Sequence, residues 1–113
     1  MTTTIYGASF DAVNAESIAG FWGAVLGRPV NEGATRDSAT LGSREGEQDT
    51  PILFHGVPET KSVKNRVHLD LISSEFDSDL ARLIGLGATE VASFDAWTTL
   101  RDPEGNEFDL IRG

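Results

Sequence analysis

Between Asn14 and Leu26 the apolar side chains fall at Ile18, Phe21, Trp22, Val25 and Leu26. That i, i+3, i+4, i+7, i+8 spacing lines one face of a helix. Asn14 is placed to cap its start, and Gly27 can take the left-handed conformation that ends it. A second helix is predicted from about Glu75 to Leu86, with Phe76, Leu80, Leu83 and Ile84 on one face. Ser74 and Asp77 have capping-box spacing, acidic residues crowd the first turn, and Gly87 closes the end. Each helix is apolar on one side only, so each should lie on a sheet.

Strand patterns surround both helices. Ile5–Val13 precedes the first, and Pro29–Ala34, Ala39–Arg44 and Ile52–Val57 follow it. Arg66–Ile72 precedes the second, and Thr89–Phe94, Trp97–Arg101 and Glu107–Ile111 follow it. Asp102-Pro103-Glu104-Gly105-Asn106 is a strong turn signal between the last two strands. The order is βαβββ, stated twice. The helix ends, Leu26-Gly27 and Leu86-Gly87, lie 60 residues apart, and the same offset sets Ala8 on His68. In the closing strands Leu53-Phe54-His55 matches Glu107-Phe108-Asp109 at an offset of 54. A longer hairpin in the first half, around Gly42 to Asp49, accounts for the difference. The expected fold class is therefore α+β: one domain over residues 1–113, with a first module at about 4–58, a linker at 59–64 and a second module at about 65–112.

Composition narrows the chemistry. Apolar residues make up 39% and charged residues 24%, which fits a folded protein with a real core. No apolar run approaches the ~18 residues of a membrane span, and the N-terminus lacks the charge and apolar pattern of an export signal. With no cysteine there is no disulfide, thiolate ligand or cysteine nucleophile. The net charge of -9 repels phosphate backbones, so nucleic acid is not an expected partner. A cytoplasmic protein with a small-molecule ligand is the expectation. No Gly-rich phosphate loop or nucleophile elbow is present.

Four stretches resemble the glyoxalase-like branch of the vicinal-oxygen-chelate superfamily (glyoxalase, bleomycin-resistance protein, dioxygenase). They are Phe21-Trp22-Gly23-Ala24-Val25-Leu26-Gly27, Val57-Pro58-Glu59-Thr60-Lys61, Lys64-Asn65-Arg66-Val67-His68-Leu69-Asp70, and Asp102-Pro103-Glu104-Gly105-Asn106-Glu107-Phe108. The match runs from about Phe10 to Ile111. It implies two βαβββ modules curling a mixed sheet around a shared cleft, often completed in a homodimer. It also implies metal ligands on the first and last strand of each module, which here are Ala8, His55, His68 and Asp109. Three of these can bind a metal; Ala8 cannot.

Two imidazoles and a carboxylate suit a divalent ion such as zinc, nickel, manganese or iron. Open coordination positions would take two substrate oxygens and hold the negative charge that develops on them. Glu107 and Asp70 are the nearest carboxylates for a base, but alternation puts Glu107 on the face of Asp109 and Asp70 on that of His68, so neither is assigned. Each ligand also has a plain structural role open to it: His55 lining a metal-free pocket, His68 bonding across the sheet, Asp109 pairing with Arg66 or Arg112. Phe21 and Trp22 fit the helical stripe and are read as core. Phe10, on the face of Ala8, is read with Trp97 and Arg66 as substrate-binding. Two functions follow: a metal-dependent lyase, isomerase or dioxygenase on a small oxygen-rich substrate, or a metal-free protein that sequesters an antibiotic or other aromatic compound.

Overall fold

The computed structural model describes residues 1–113 and divides into two compact units, Met1–Thr60 and Lys61–Gly113. In the first unit the order is β1 (Ala8–Ala12), α1 (Ala15–Leu26), β2 (Ser38–Leu41) and β3 (Ile52–Gly56). The three strands form one sheet in the order β1-β3-β2, with β1 parallel and β2 antiparallel to β3. Asn14 caps α1 by accepting from the Ser17 amide at 3.1 Å, and Gly27 ends it at φ 65°. Ile18, Phe21, Trp22 and Val25 are buried along the predicted stripe. Phe10 from β1 packs against Trp22 and Phe54, at ring separations of 6.2 and 5.5 Å.

The strand expected at Pro29–Ala34 does not form. Only Val30 bridges, to Leu41. Pro29 has no amide hydrogen to give a ladder, and Gly33 takes a positive φ of 87°, so the segment bends away after one contact. The buried guanidinium of Arg28 stitches this region to the hairpin by donating to the carbonyls of Gly42, Leu41 and Thr50. The hairpin between β2 and β3 is closed by Arg44 on Asp49 at 2.8 Å.

The second unit carries the whole pattern: β4 (Asp70–Ser73), α2 (Phe76–Leu86), β5 (Thr89–Ser93), β6 (Trp97–Arg101) and β7 (Glu107–Arg112). Its sheet order is β4-β7-β6-β5, parallel between β4 and β7 and antiparallel elsewhere. Side chains alternate cleanly. Phe108, Leu110, Thr98 and Leu100 are buried on one face, while Asp109, Ile111, Trp97 and Thr99 occupy the other. Phe76 and Leu83 anchor α2, but Ile84, expected on the same stripe, is 45% exposed. The α2 start is held by Ser73 rather than Ser74: its hydroxyl accepts from the Glu75 amide at 2.9 Å and donates to Asp79 at 2.6 Å.

Two further expectations are corrected. The ladders are two separate open sheets, not one sheet curled into a closed, shared cleft. The leading strands are also shorter than their apolar patterns. Ile5 and Tyr6 precede β1 and are exposed, and residues 66–69 precede β4 without joining it.

Candidate metal centre

The turn before β7 sets the register that builds the site. Asp102 is buried and accepts from the amides of Glu104 and Asn106, both at 2.9 Å, while Gly105 takes φ 91°. Only Gly relaxes easily at that angle. This five-residue turn pairs Arg101 with Glu107 and Thr99 with Asp109. On the other side of β7, Asp70 pairs with Asp109. Asp70, Asp109 and Thr99 thus form one row across three strands, all on the face turned from α2.

His68 joins that row from the segment leading into β4. Its Nδ1 lies 3.1 Å from Asp70 Oδ1 and 4.0 Å from Asp109 Oδ2. One ligand atom from each of the three residues can be chosen so that all lie within 4.8 Å of one another. Donors on one tetrahedral ion at about 2.0–2.2 Å stand about 3.3–3.6 Å apart. The three side chains must draw in to reach that spacing, and those of His68 and Asp70 are 36% and 52% exposed, with room to move. Asp109 is the fixed member: Thr99 Oγ1 donates to its Oδ1 at 2.6 Å. One imidazole and two carboxylates, with one carboxylate oriented by a neighbouring hydroxyl, fit a divalent ion with open positions for oxygen ligands.

Two of the three expected ligands, His68 and Asp109, are brought together, and Asp70 is their third member. His55 is carried by the first unit, exposed on β3 between Asp11 and Ser38 in the ladder. Ladder partners also revise the repeat. Asp11 pairs with His55 as Asp70 pairs with Asp109, so Asp11 is the counterpart of Asp70. Two residues back from each are Ser9 and His68, not Ala8 and His68. Ala8 shares the face of Phe10, whose ring is turned to Trp22 and the α1 side.

The remaining residues separate by surroundings. Trp97 lies on the same face as the cluster, stacked on Phe94 with centroids 4.5 Å apart. Arg66 is exposed in the lead-in to β4. Glu107 is buried among Lys61 at 3.0 Å, the Asn65 amide at 2.9 Å and Arg101 at 3.5 Å. Burial alone would push its pKa up, but the hydrogen bonds from Asn65 and Lys61 outweigh it and bring the carboxyl to about 2. Glu107 is therefore a fully engaged anion and not a proton acceptor at neutral pH. A shallow depression of about 300 Å³ in the first unit, lined by Val13, Arg36, Asp37, Gly56, Val57 and Pro58, holds no ligand cluster.

Thr99 was not anticipated, and Asp70 was weighed as a base rather than as a ligand. A usable signal existed for Thr99: a five-residue turn between Arg101 and Glu107 places it opposite Asp109.

The fold is shared with known proteins. Residues 7–111 match the family model of the glyoxalase-like domain. No curated protein matches the sequence. Among solved structures, a fosfomycin resistance protein from Listeria monocytogenes superposes with TM-score 0.77 at 12% identity, covering 100% of this chain and 93% of that one. A glyoxalase/bleomycin resistance protein/dioxygenase family enzyme from Burkholderia phytofirmans gives 0.70 at 19% identity, covering 96% and 98%. A structure described as a possible glyoxalase from Bacillus cereus gives 0.72 at 12% identity, covering 97% and 99%. Identities this low establish the shared fold alone.

Proposed function

Because the chain belongs to the glyoxalase-like family of the vicinal-oxygen-chelate superfamily, we propose that it is a divalent-metal-dependent lyase, isomerase or dioxygenase acting on a small oxygen-rich substrate. The carrying observation is the meeting of His68, Asp70 and Asp109 on one sheet face. A bound zinc, nickel, manganese or iron ion would polarise substrate oxygens and stabilise the charge developing on them. The chain's own residues supply the rest. Thr99 fixes the direction of Asp109, Asp70 orients the His68 ring through Nδ1, and Glu107 is withdrawn into its ion pairs. The same reading takes the protein as a cytoplasmic homodimer without nucleic-acid or membrane partners. The net charge of -9 supports the first exclusion. No helix is long and apolar enough to cross a membrane.

The second reading, a metal-free protein sequestering an aromatic compound, is favoured by the exposed stack of Phe94 on Trp97. Metal analysis of untagged protein separates the two. The metal reading expects close to one divalent ion per chain, lost in His68→Ala; substoichiometric metal in both proteins overturns it. Thermal shift with aromatic compounds that is indifferent to chelator would then support the sequestering reading.

A further inference from the structure

Residues 61–69, which lead into β4, form neither helix nor strand. Val63 and Val67 are 75% and 83% exposed, so neither fastens this segment to the sheet by burial. Its fastening is polar. Lys61 Nζ reaches both carboxylate oxygens of Glu107, at 3.0 and 3.1 Å, and the Asn65 amide donates to Oε1 at 2.9 Å. Asn65 Nδ2 donates to Asn106 Oδ1 at 3.0 Å, and Asn106 Nδ2 donates to buried Asp102 at 3.0 Å. Lys61 also donates to the Val63 carbonyl, which closes the bend between the two fastening points. The partners lie 41 to 46 residues apart in sequence, so these bonds form a tertiary clasp and not a local turn.

Burial gives the clasp its strength. Glu107 is 7% exposed and the Lys61 side chain 19%. An ion pair open to water is screened and holds little, whereas breaking a shielded one strands the remaining charge. On the far side of His68, the Leu69 carbonyl accepts from the Asp109 amide at 3.0 Å. Residues 66–68 therefore bridge two anchors, and the short reach of three residues confines the His68 ring. With the clasp open, only the Leu69 anchor remains, and a segment with so little buried apolar surface opens readily.

We propose that residues 61–65 are a strap clasped by Glu107, and that closing the clasp sets where the His68 ring stands against Asp70 and Asp109. Lys61 and Glu107 are then positioning residues, which act through His68 and touch no ligand themselves. The consequence for metal affinity rests on the metal reading above; the tie between clasp and ring does not.

Proton NMR of the metal-free protein tests that tie, because the chain has two histidines and His55, in the first unit, serves as the reference. Lys61→Met removes the ammonium and keeps the stem, Glu107→Gln removes the charge and keeps the shape, and Lys61→Arg keeps a cation. The His68 ring signals should move toward those of an unstructured peptide in the first two variants and return most of the way in the third. Those of His55 should stay in place. Amide exchange over residues 61–69 should quicken about tenfold or more in the first two variants, while β6 and β7 stay within about threefold. If neither variant quickens exchange there, the clasp does not hold the strap and the inference is overturned. It is equally overturned if exchange quickens while the His68 signals stay, or if His55, β6 and β7 change as much as the strap.

Zinc titration of the same proteins tests the consequence for metal. Affinity should fall about tenfold in Lys61→Met and recover in Lys61→Arg, and by linkage saturating zinc should slow strap exchange in Lys61→Met. Unchanged affinity, or weaker zinc that leaves the strap exchange as fast, overturns the route from clasp to metal. A wild type that binds no zinc sinks the metal reading alone, and the NMR comparison still decides whether the clasp places His68.

Discussion

Thr99 Oγ1 donates to Asp109 Oδ1 at 2.6 Å across neighbouring strands, and this bond gives the candidate centre its one fixed carboxylate. His68 and Asp70 are more exposed and hold each other through a single contact of 3.1 Å. Thr99→Val keeps the shape of the side chain and removes the donor. Metal affinity is expected to fall about 10–100-fold, the usual cost of losing a partner behind a ligand. Calorimetric zinc titration, with circular dichroism as the check on folding, reads this directly; unchanged affinity would mean that the hydroxyl does not orient the site.

Glu107 predicts an acid-limb signature. Its pKa falls from 4.5 to about 2 in the folded chain, so between those values the unfolded state binds more protons and stability rises with pH. The contribution is complete above about pH 4.5 and is lost as the pH drops toward 2. Glu107→Gln should cost about 1–3 kcal/mol at pH 7. Urea unfolding at pH 7, 4 and 3 should show the gap between wild type and variant narrowing as the solution is acidified. A constant gap would place the effect in packing rather than charge.

The α1 cap gives a simple local test. Asn14→Ala removes the acceptor for the Ser17 amide and should cost about 1 kcal/mol. Gly27→Ala forces a Cβ into φ 65° and should also cost about 1 kcal/mol, although open space surrounds the added methyl. The two sites lie at opposite ends of α1, so the double variant should show the sum of the single losses in chemical denaturation.

Trp22 is the largest fully buried side chain, 1% exposed and in contact with the rings of Phe10 and Phe21. Trp22→Ala should destabilise by about 3–5 kcal/mol through lost burial and the cavity left behind. Trp97→Ala, on the open sheet face, should cost far less. Thermal unfolding of the two variants side by side tests this division between core and binding surface, and an equal loss would contradict it.

Much of the fold was legible because its signals are local. The helices announce themselves by an apolar stripe and a closing glycine, and the turn at Asp102–Asn106 by its own composition. What failed depended on counting. The lead-in from Asp70 to Glu75 is longer than that from Asp11 to Asn14, and α2 has 11 residues against 12 in α1. An offset of 60 measured at the helix ends is therefore one residue out at the leading strands. In a strand one residue is a change of face, which is why Ala8 took the place that belongs to Ser9. Asp70 was weighed only as a base. Alternation placed it on one face with His68, and the two do meet there at 3.1 Å. The pairing of His68 with Asp109 was anticipated only through family resemblance, since a parallel contact between strands so far apart in sequence leaves no local trace.

The missing strand at Pro29–Ala34 bears on how the chain behaves in a crowded solution. An outer strand such as β2 normally offers free amides and carbonyls to any extended segment that drifts alongside. Here the irregular segment has already occupied them. Asn31 donates to the Thr40 carbonyl at 2.9 Å, Gly42 to that of Pro29 at 2.8 Å, and Ser38 exchanges bonds with Thr35. In the second unit the outer strand β5 is interrupted by a register shift between Glu90 and Ala92, which breaks the even run of bonding groups. The β2 and β5 edges thus each carry a guard against edge-to-edge aggregation, and in the first unit that guard is built from the residues that failed to become a strand.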